Sequence, residues 1–382
     1  MGTHLPRPAI ERRLLRSLES PNSVVLVGPR GSGKTFLLER LRESIGDSRP
    51  TALIQMEPIA ASPEILCERF LEIAGPLLDA GGYRSNAFPR WLGALAKGTP
   101  GCLLLLDDAT EIRTLSYFPG VERPLESLFE TLAKKHAPQA ILTSRFPAWI
   151  ASCFDELSNA TRSRFEVVTL PAVSPDELEA MGVSESGPLV TATGGLPVHL
   201  SPLIERMRTG ESLPGALARE IATNGHLEAE CRATLGQLLH RARGYGACKA
   251  VLHVLAAEEG LRLSEIARRL DRTPGSTRDY LRWLEEVDLI VVRDKRFFFV
   301  DPVLRLWLRL YGRGELPSRD DIESEVGRHL NGQAPAFEAE SGPKSTKSAI
   351  DETTTPEQPI QPMQEDEFVP LPPPSDELIE FD

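Results

Sequence analysis

Residues 28–35 read Gly28-Pro-Arg-Gly-Ser-Gly-Lys-Thr35, and this stretch decides the fold. It follows a valine-rich apolar run, Ser23–Val27, which is too short for a helix, and it precedes a helical pattern over Phe36–Ile45. Glycines let successive backbone N–H groups turn toward a phosphate, and the start of a helix adds positive potential. The stretch therefore predicts a phosphate-binding loop between a buried strand and a helix. We expect the nucleotide contacts to come from Gly28, Pro29, Arg30, Gly31, Ser32, Gly33, Lys34, Thr35 and Phe36.

Two side chains of this loop have a chemical task. A lysine at the position of Lys34 reaches the β- and γ-phosphate oxygens, and a hydroxyl at the position of Thr35 is a ligand of Mg²⁺. A glycine-rich turn with a chance lysine is the alternative, but the strand before the loop and the helix after it favour the functional interpretation. We therefore expect ATP or ADP, with Mg²⁺, as the ligands.

Further short apolar runs alternate with helical patterns along the first half of the chain. Strands separated by helices indicate a parallel sheet that carries helices on both faces. The fold class predicted for this part is α/β, of the P-loop type. The predicted strands are Ala52–Ile54, Cys102–Leu106, Ala140–Leu142 and Phe165–Leu170, and the predicted helices are Leu5–Glu19, Pro63–Leu78, Phe88–Ala96 and Pro124–Lys135.

The strand pattern stops near Leu170. Ser174-Pro-Asp-Glu177 has the form of a capping box and opens an all-helical region, which we call the lid. From Ala247 to Gly312 the order becomes helix, helix, helix, a hairpin and a closing helix over Asp301–Tyr311, which indicates a winged helix. The predicted domains are a nucleotide-binding domain at 1–171, the lid at 172–243, the winged helix at 244–313, a linker helix at 314–332 and a disordered tail at 333–382.

Charge is distributed unevenly along the 382 residues. Forty-three Lys and Arg stand against 55 Asp and Glu, a net charge of −12, and the tail holds twelve acidic residues but only two lysines. A globally basic nucleic-acid coat is therefore excluded, although a local basic face is not. The proline-rich, acidic tail cannot bury enough apolar surface to offset its ordering entropy. Its end, Glu365–Asp382, sets apolar residues among acids and fits either a docking motif or a solubilising tail.

The sequence also indicates a compartment. No apolar run approaches the ~18 residues that a membrane span needs, and the N-terminus lacks the apolar segment of a signal peptide. Five cysteines lie far apart with no Cys-x-x-Cys pair, which is typical of reduced thiols rather than of a disulfide framework or a zinc site. We expect a cytoplasmic protein without a membrane segment.

A second motif, Cys102-Leu-Leu-Leu-Leu-Asp-Asp108, is a buried strand that ends in two carboxylates. Ligands of open α/β sheets bind at the carboxyl ends of the strands, so Asp107 is expected to hold Mg²⁺ there. Either Asp108 or Glu111 is expected to orient the attacking water. A solvated acidic loop is the alternative interpretation.

Two further motifs have weaker signals. Ile141-Leu-Thr-Ser-Arg145 ends the next strand, and its guanidinium is a candidate sensor of the γ-phosphate, or part of an ordinary turn. Gly194-Gly-Leu-Pro197 is either a helix-breaking turn or the place where Pro197 lies against the base.

Taken in order, these four motifs resemble those of the STAND class of P-loop ATPases, which includes the NB-ARC switches and the archaeal-type ATPases. The resemblance covers roughly residues 5–312, and it implies that Lys34 and Thr35 bind phosphate and Mg²⁺ and that Asp107 coordinates Mg²⁺. It further implies that Arg145 senses the γ-phosphate and that Pro197 touches the base. The segment starting at Arg7 resembles the family's N-terminal element, which folds over the nucleotide.

One position departs from the family pattern. Phe299-Val-Asp301 stands where NB-ARC proteins carry Met-His-Asp, whose histidine contacts ADP, and Val300 cannot make that contact. A resting state locked by ADP is therefore not expected. The run Phe299–Pro302, with Arg305 and Trp307, instead resembles the archaeal-type ATPases.

The winged helix has two possible roles. Thr273–Glu286 is its expected recognition helix, and a basic face on this helix and on the wing is suited to DNA phosphates. Asp279, Glu285 and Glu286 interrupt that face, so packing against the ATPase or another protein is the alternative. The residues expected at the surface are Ser276, Thr277, Arg278, Arg282, Arg293, Lys295 and Arg296; those expected in the core are Leu281, Trp283, Leu284, Leu289 and Phe298.

These features together predict an ATP-binding switch that hydrolyses ATP slowly, with Lys34, Asp108, Glu111 and Arg145 as the catalytic candidates. Slow turnover is expected because a cation supplied by a neighbouring molecule completes many such sites. Arg162 and Arg164 are the candidates for that cation, so a homo-oligomer or a protein partner is expected. A nucleotide-regulated DNA-binding factor is the alternative, and an ATP-stabilised scaffold is a third.

Overall fold

The structure is a computed structural model. It describes residues 5–78, 86–99, 101–239, 244–312, 314 and 316–332, and these belong to one compact unit. The predicted disordered tail, 333–382, lies outside the described residues.

Five parallel strands form the central sheet, in the order β2-β3-β4-β1-β5. β1 lies between β4 and β5, so that Val24 pairs with Ile141 on one side and with Glu166 on the other. Crossover helices connect the strands, which confirms the predicted α/β fold with a parallel sheet. The strands are β1 (Ser23–Val27), β2 (Thr51–Gln55), β3 (Leu103–Asp107), β4 (Gln139–Ser144) and β5 (Phe165–Thr169).

Helices cover both faces of this sheet. Successive strand residues point to opposite faces, so Leu103 and Leu105 pack with α1 and α2, while Leu104 and Leu106 pack with α3 to α6. Sequence reasoning did not predict α6, α7 or the 3₁₀ segment Ala109–Tyr117 that follows β3. The helices are α1 (Pro8–Ser17), α2 (Lys34–Ile45), α3 (Pro63–Ala74), α4 (Ala87–Leu95), α5 (Pro124–Leu132), α6 (Pro147–Glu156) and α7 (Asn159–Arg162).

After the sheet, the part of the chain that the structure describes contains helices and one hairpin. The capping box that opens it is present, because Ser174 accepts from the Glu177 amide and Glu177 accepts from the Ser174 amide. The elements are α8 (Pro175–Ala180), α9 (Ser186–Thr193), α10 (Pro197–Arg208), α11 (Leu213–Ile221), α12 (His226–Leu239), α13 (Tyr245–Ala257), α14 (Leu263–Arg269), α15 (Pro274–Glu286), β6 (Ile290–Arg293), β7 (Arg296–Phe299), α16 (Pro302–Tyr311) and α17 (Arg319–Asn331).

A single apolar core joins the lid to the helices and hairpin that follow it. Leu200 of α10, Leu252 of α13 and Leu304 of α16 are all buried in this core. The segment predicted as a linker contains α17, which packs against α11 and α16 and buries Val326. Phe146, next to the end of β4, is also part of this core, so the sheet and the helical region meet there.

The helices are short and the cysteines are internal. The longest helix of the described residues, α12, has 14 residues, and no helix among these residues is long and apolar enough to cross a membrane. All five cysteines are buried free thiols.

Arg7 ties the N-terminal segment to the junction between the sheet and the lid. Its guanidinium donates to both carboxylate oxygens of Glu177, at 3.1 and 3.2 Å, and to the Pro171 carbonyl at 2.7 Å. Because Glu177 also caps α8, one buried arginine links three segments.

We expect Arg7→Ala to lower the free energy of unfolding by about 1–3 kcal/mol, because a charged hydrogen-bonding group is removed while its acceptors stay partly buried. Chemical denaturation of the full chain measures this change. Arg12→Ala, on the exposed side of α1, is the matched control and should change little. Equal effects of the two variants would show that Arg7 is not a structural tie.

Candidate functional site

The loop at residues 28–33 leaves β1 and enters α2 directly, as the sequence predicts. Gly31 and Gly33 have φ angles of +75° and +90°, which glycine adopts without steric cost. A Cβ on Gly31 would also lie 2.2 Å from Cγ1 of Val198 in α10. Glycine is therefore required at position 31 both by the backbone and by the close approach of the lid.

Lys34 begins α2 and turns back over the loop. Its ammonium donates to the carbonyls of Gly28, at 2.8 Å, and Pro29, at 2.9 Å. Burial lowers the pKa of Lys34 to about 8, while the nearby carboxylates of Asp108 and Asp107 act in the opposite direction. A buried ammonium without a bound carboxylate is a strong site for a phosphate oxygen.

Asp107, at the end of β3, connects two threonines from different elements. Thr35 Oγ1 donates to its Oδ2 at 2.6 Å, and Thr143 Oγ1 of β4 donates to its Oδ1 at 2.6 Å. The Asp108 amide in turn donates to the Thr143 hydroxyl at 2.8 Å. The predicted metal residues Thr35 and Asp107 are thus in direct contact.

This donor set fits Mg²⁺ rather than a metal held by protein alone. Within the described part of the chain, no group of three or more His, Cys, Asp or Glu side chains is placed to hold a metal. Mg²⁺ usually takes one or two carboxylates and completes its shell with water and phosphate oxygens. Asp107 and Thr35 provide such a partial shell.

The two candidates for orienting water differ in position. Asp108, with a left-handed φ of +50°, lines the cavity in front of the phosphate-binding loop, here called the main cavity. Burial raises the pKa of Asp108, although Arg145 and Lys34 oppose that shift. Glu111 is almost fully buried and pairs with Arg145 at 3.0 Å, away from the cavity wall. Position favours Asp108 over Glu111.

Arg145, just after β4, is surrounded by carboxylates. Its Nη2 lies 3.0 Å from Glu111, 3.2 Å from Glu57 and 3.4 Å from Asp108. Burial would lower the pKa of Arg145, but Asp108, Glu111 and Glu57 outweigh it and raise the pKa. Sequence reasoning missed Glu57, and its signal was its place two residues after β2, at the carboxyl edge of the sheet.

A cavity of about 850 Å³ opens in front of the loop. Its walls are the loop and α2, the N-terminal segment Leu5–Arg7, and α10 from Pro197 onward. Phe36 and Pro197 lie in these walls, whereas Gly28, Pro29, Asp107 and Glu111 do not. A cavity of this size is typical of small-ligand sites.

Two polar contacts join the lid to the loop, one at Gly31 itself and one at Arg30. The Val198 amide donates to the Gly31 carbonyl at 3.2 Å. Arg30 Nε lies 3.1 Å from Glu230 Oε1 of α12, and the Arg30 guanidinium also donates to Gln237. The sequence marked Arg30 only as a loop residue, because its partners lie about 200 positions away.

The winged-helix region also faces the loop. A small cavity of about 40 Å³ is lined by Pro29 and Arg30 on one side and by Asp288 and Val300 on the other. Asp301 caps α16 and lies 2.8 Å from His199 Nε2 of α10. Burial alone would raise the pKa of Asp301, but His199 and the cap amides lower it.

The predicted DNA-facing residues are not all at the surface. Thr277 was predicted to be exposed, and this is wrong: it is fully buried because its position in α15 faces the core, and its hydroxyl donates to the Thr273 carbonyl. Arg278 and Arg293 are partly buried. Trp283 and Phe298, predicted in the core, are also only partly buried. The exposed members are Ser276, Arg282, Lys295 and Arg296.

Arg162 and Arg164 lie near the amino-terminal ends of β1 and β5, whereas the loop follows the carboxyl end of β1. The Arg164 carbonyl accepts from the amide of Ser23, the first residue of β1. A five-residue strand spans roughly 16 Å at about 3.3 Å per residue. These two arginines are therefore far from the cavity in front of the loop of their own chain.

Comparison with known proteins supports the α/β fold. Residues 16–144 match the AAA domain family. The Walker-type ATPase of Pyrococcus abyssi is 19% identical, with a TM-score of 0.58, over 80% of this chain and 96% of that chain. The ORC2 protein of Aeropyrum pernix is 15% identical, with a TM-score of 0.47, over 85% and 92%. The RuvB Holliday junction branch migration motor of Thermotoga maritima is 16% identical, with a TM-score of 0.37, over 77% and 92%.

Residues 16–144 thus resemble an AAA domain, and the chain shares the overall fold of the Pyrococcus structure. A search of the curated proteins found no match. The finer assignment to the STAND class remains a prediction.

Asp288 provides a pH test of the packing between winged helix and loop. Burial raises its pKa to about 7 from an ordinary 3.8, with Lys34 opposing and Glu285 adding to the shift. The folded state then binds more protons than the unfolded state between these two values, so stability falls as pH rises through that window.

In Asp288→Asn this contribution is absent. We expect the melting temperature of the variant to fall less than that of the wild type between about pH 5 and about pH 8. Thermal unfolding across this range measures the difference, with Asp294→Asn in the exposed wing turn as control. Identical pH profiles for wild type and Asp288→Asn would contradict the partly buried position of this residue and the raised pKa that follows from it.

Proposed function

We propose that this protein is a Mg²⁺- and ATP-dependent molecular switch with slow ATP hydrolysis. One observation carries the proposal: the phosphate-binding loop forms one wall of the main cavity, and the lid helix α10 forms another. A nucleotide in this cavity touches the sheet and the helical region at once. Its state can therefore change how the two fit together.

The site residues have distinct tasks in this proposal. Lys34 binds the β- and γ-phosphate oxygens, and Thr35 and Asp107 would hold Mg²⁺, which neutralises charge on those oxygens. Asp108 accepts a hydrogen bond from the attacking water and orients it. Arg145 donates to the γ-phosphate, and Pro197 lies against the base.

Arg145 also couples the γ-phosphate site to the helical region. It is followed by Phe146, which belongs to the apolar core of the helical region. The Phe146 ring lies 4.0 Å, between centroids, from the partly buried Trp149. A displacement of Arg145 toward a γ-phosphate therefore acts directly on packed side chains of the helical region.

Lys34→Ala tests nucleotide binding. Calorimetry with ATP and Mg²⁺ should show strong loss of binding, and phosphate release should fall to background, because the buried cation at the phosphates is gone. Lys135→Ala removes an exposed lysine of the same domain and is the matched control. Wild-type turnover in Lys34→Ala would overturn the assignment.

A mixing experiment tests whether Arg162 and Arg164 serve a neighbouring site. Lys34→Ala and the Arg162→Ala/Arg164→Ala double variant should each be nearly inactive alone. Mixed, they should regain activity, since an intact site of the double variant receives arginines from the Lys34→Ala chain. Mixed oligomers seen by light scattering but without recovered activity would exclude these arginines.

DNA binding is the second candidate function, supported by the exposure of Arg282, Lys295 and Arg296 on the winged-helix region. Arg282→Ala/Lys295→Ala should then weaken DNA binding and reduce its salt dependence. Arg319→Ala, an exposed arginine on α17, is the control. If the affinity for DNA does not depend on salt concentration, or does not change in the double variant, DNA binding is excluded as the second function.

A further inference from the structure

Arg145 has more anionic partners than it can satisfy while also binding a phosphate. Its side chain is 7% exposed, and its Nη2 is the atom nearest all three carboxylates. A γ-phosphate oxygen brought to the same guanidinium has to compete with them. The negative charges of the phosphate and of the three carboxylates repel one another in this buried site. At least one of the ion pairs of Arg145 therefore has to weaken when the phosphate binds.

The three carboxylates are not equally free to give way. Glu111 is 4% exposed and fixed in the 3₁₀ segment after β3, and Asp108 follows β3 directly. Glu57 is 44% exposed, lies outside the regular strand and lines the main cavity. Of these partners, Glu57 is the one with room to move into solvent.

We propose that Glu57 is a positioning residue that holds Arg145 away from the γ-phosphate and so weakens binding of ATP relative to ADP. This inference rests on the proposed function. ADP has no γ-phosphate, so its binding leaves the Arg145–Glu57 ion pair intact. ATP binding breaks the ion pair, and its cost appears only in the affinity for the triphosphate.

The ion pair also predicts a particular kinetic pattern. It exists in the free protein but neither in the ATP complex nor in the transition state. Removal of the ion pair stabilises the ATP complex and the transition state equally, relative to the free protein. We therefore expect a lower KM and an unchanged kcat.

Glu57→Gln keeps the shape of the side chain and removes its charge. We expect the Kd of a non-hydrolysable ATP analogue with Mg²⁺ to fall about two- to fivefold, the range that partly exposed ion pairs contribute. The Kd of ADP and the value of kcat should stay unchanged. Calorimetry and a phosphate-release assay on the full chain measure these quantities.

Three further variants isolate the effect. Glu64→Gln neutralises an exposed carboxylate on the next helix and should leave ATP and ADP binding unchanged. Glu57→Asp keeps the charge and should stay close to wild type. In an Arg145→Ala background, Glu57→Gln should have no effect, because the ion pair is already absent.

Tightening of ATP and ADP alike, weaker ATP binding or no change in Glu57→Gln would each overturn the inference. Failure of the proposed function has a different signature, in which the wild type binds neither nucleotide. If ATP binding depends on Lys34 and Arg145 but not on Glu57, the proposed function stands and this inference fails.

Discussion

The site depends on one buried carboxylate, Asp107, which accepts hydrogen bonds from Thr35 and Thr143. These threonines come from the first turn of α2 and from β4. They meet at Asp107 only because β3, β4 and β1 are neighbours in the sheet. A carboxylate in such a place is costly unless it is hydrogen-bonded, so the same two contacts that satisfy it also fix the geometry of the candidate metal site.

Around this centre the main cavity is built by segments that are distant in sequence. Arg7 joins the N-terminal segment to the start of the lid, and Arg30 joins the loop to α12. Phe146 extends from the sheet into the helical core. The helical region is thus attached to the loop, to the strand edge and to the N-terminus.

The sequence predicted local features well and long-range partners poorly. The strand Ser23–Val27 and the capping box at Ser174 were predicted correctly because each depends on a few consecutive residues. The segment Ala109–Tyr117 was missed because a 3₁₀ segment has no clear apolar period. Thr277 was misplaced because a polar residue type gives little information about which helix face it occupies.

The candidate site residues followed the same rule. Lys34, Asp107 and Arg145 lie at one edge of the sheet because their motifs end strands or open a helix there. The pairing of Arg145 with Glu57, and the approach of Asp288 to the loop, arise from packing between elements far apart in the chain. No pattern in a single sequence encodes such pairings.

The position of Arg162 and Arg164, at the end of the sheet remote from the loop, has a consequence for symmetry. A head-to-tail contact in which these arginines reach the cavity of a neighbour joins two different surfaces of the molecule. Each added subunit then presents an unused surface to the next one. Such a contact continues until it closes into a ring or extends as a helical filament, depending only on the rotation between successive subunits.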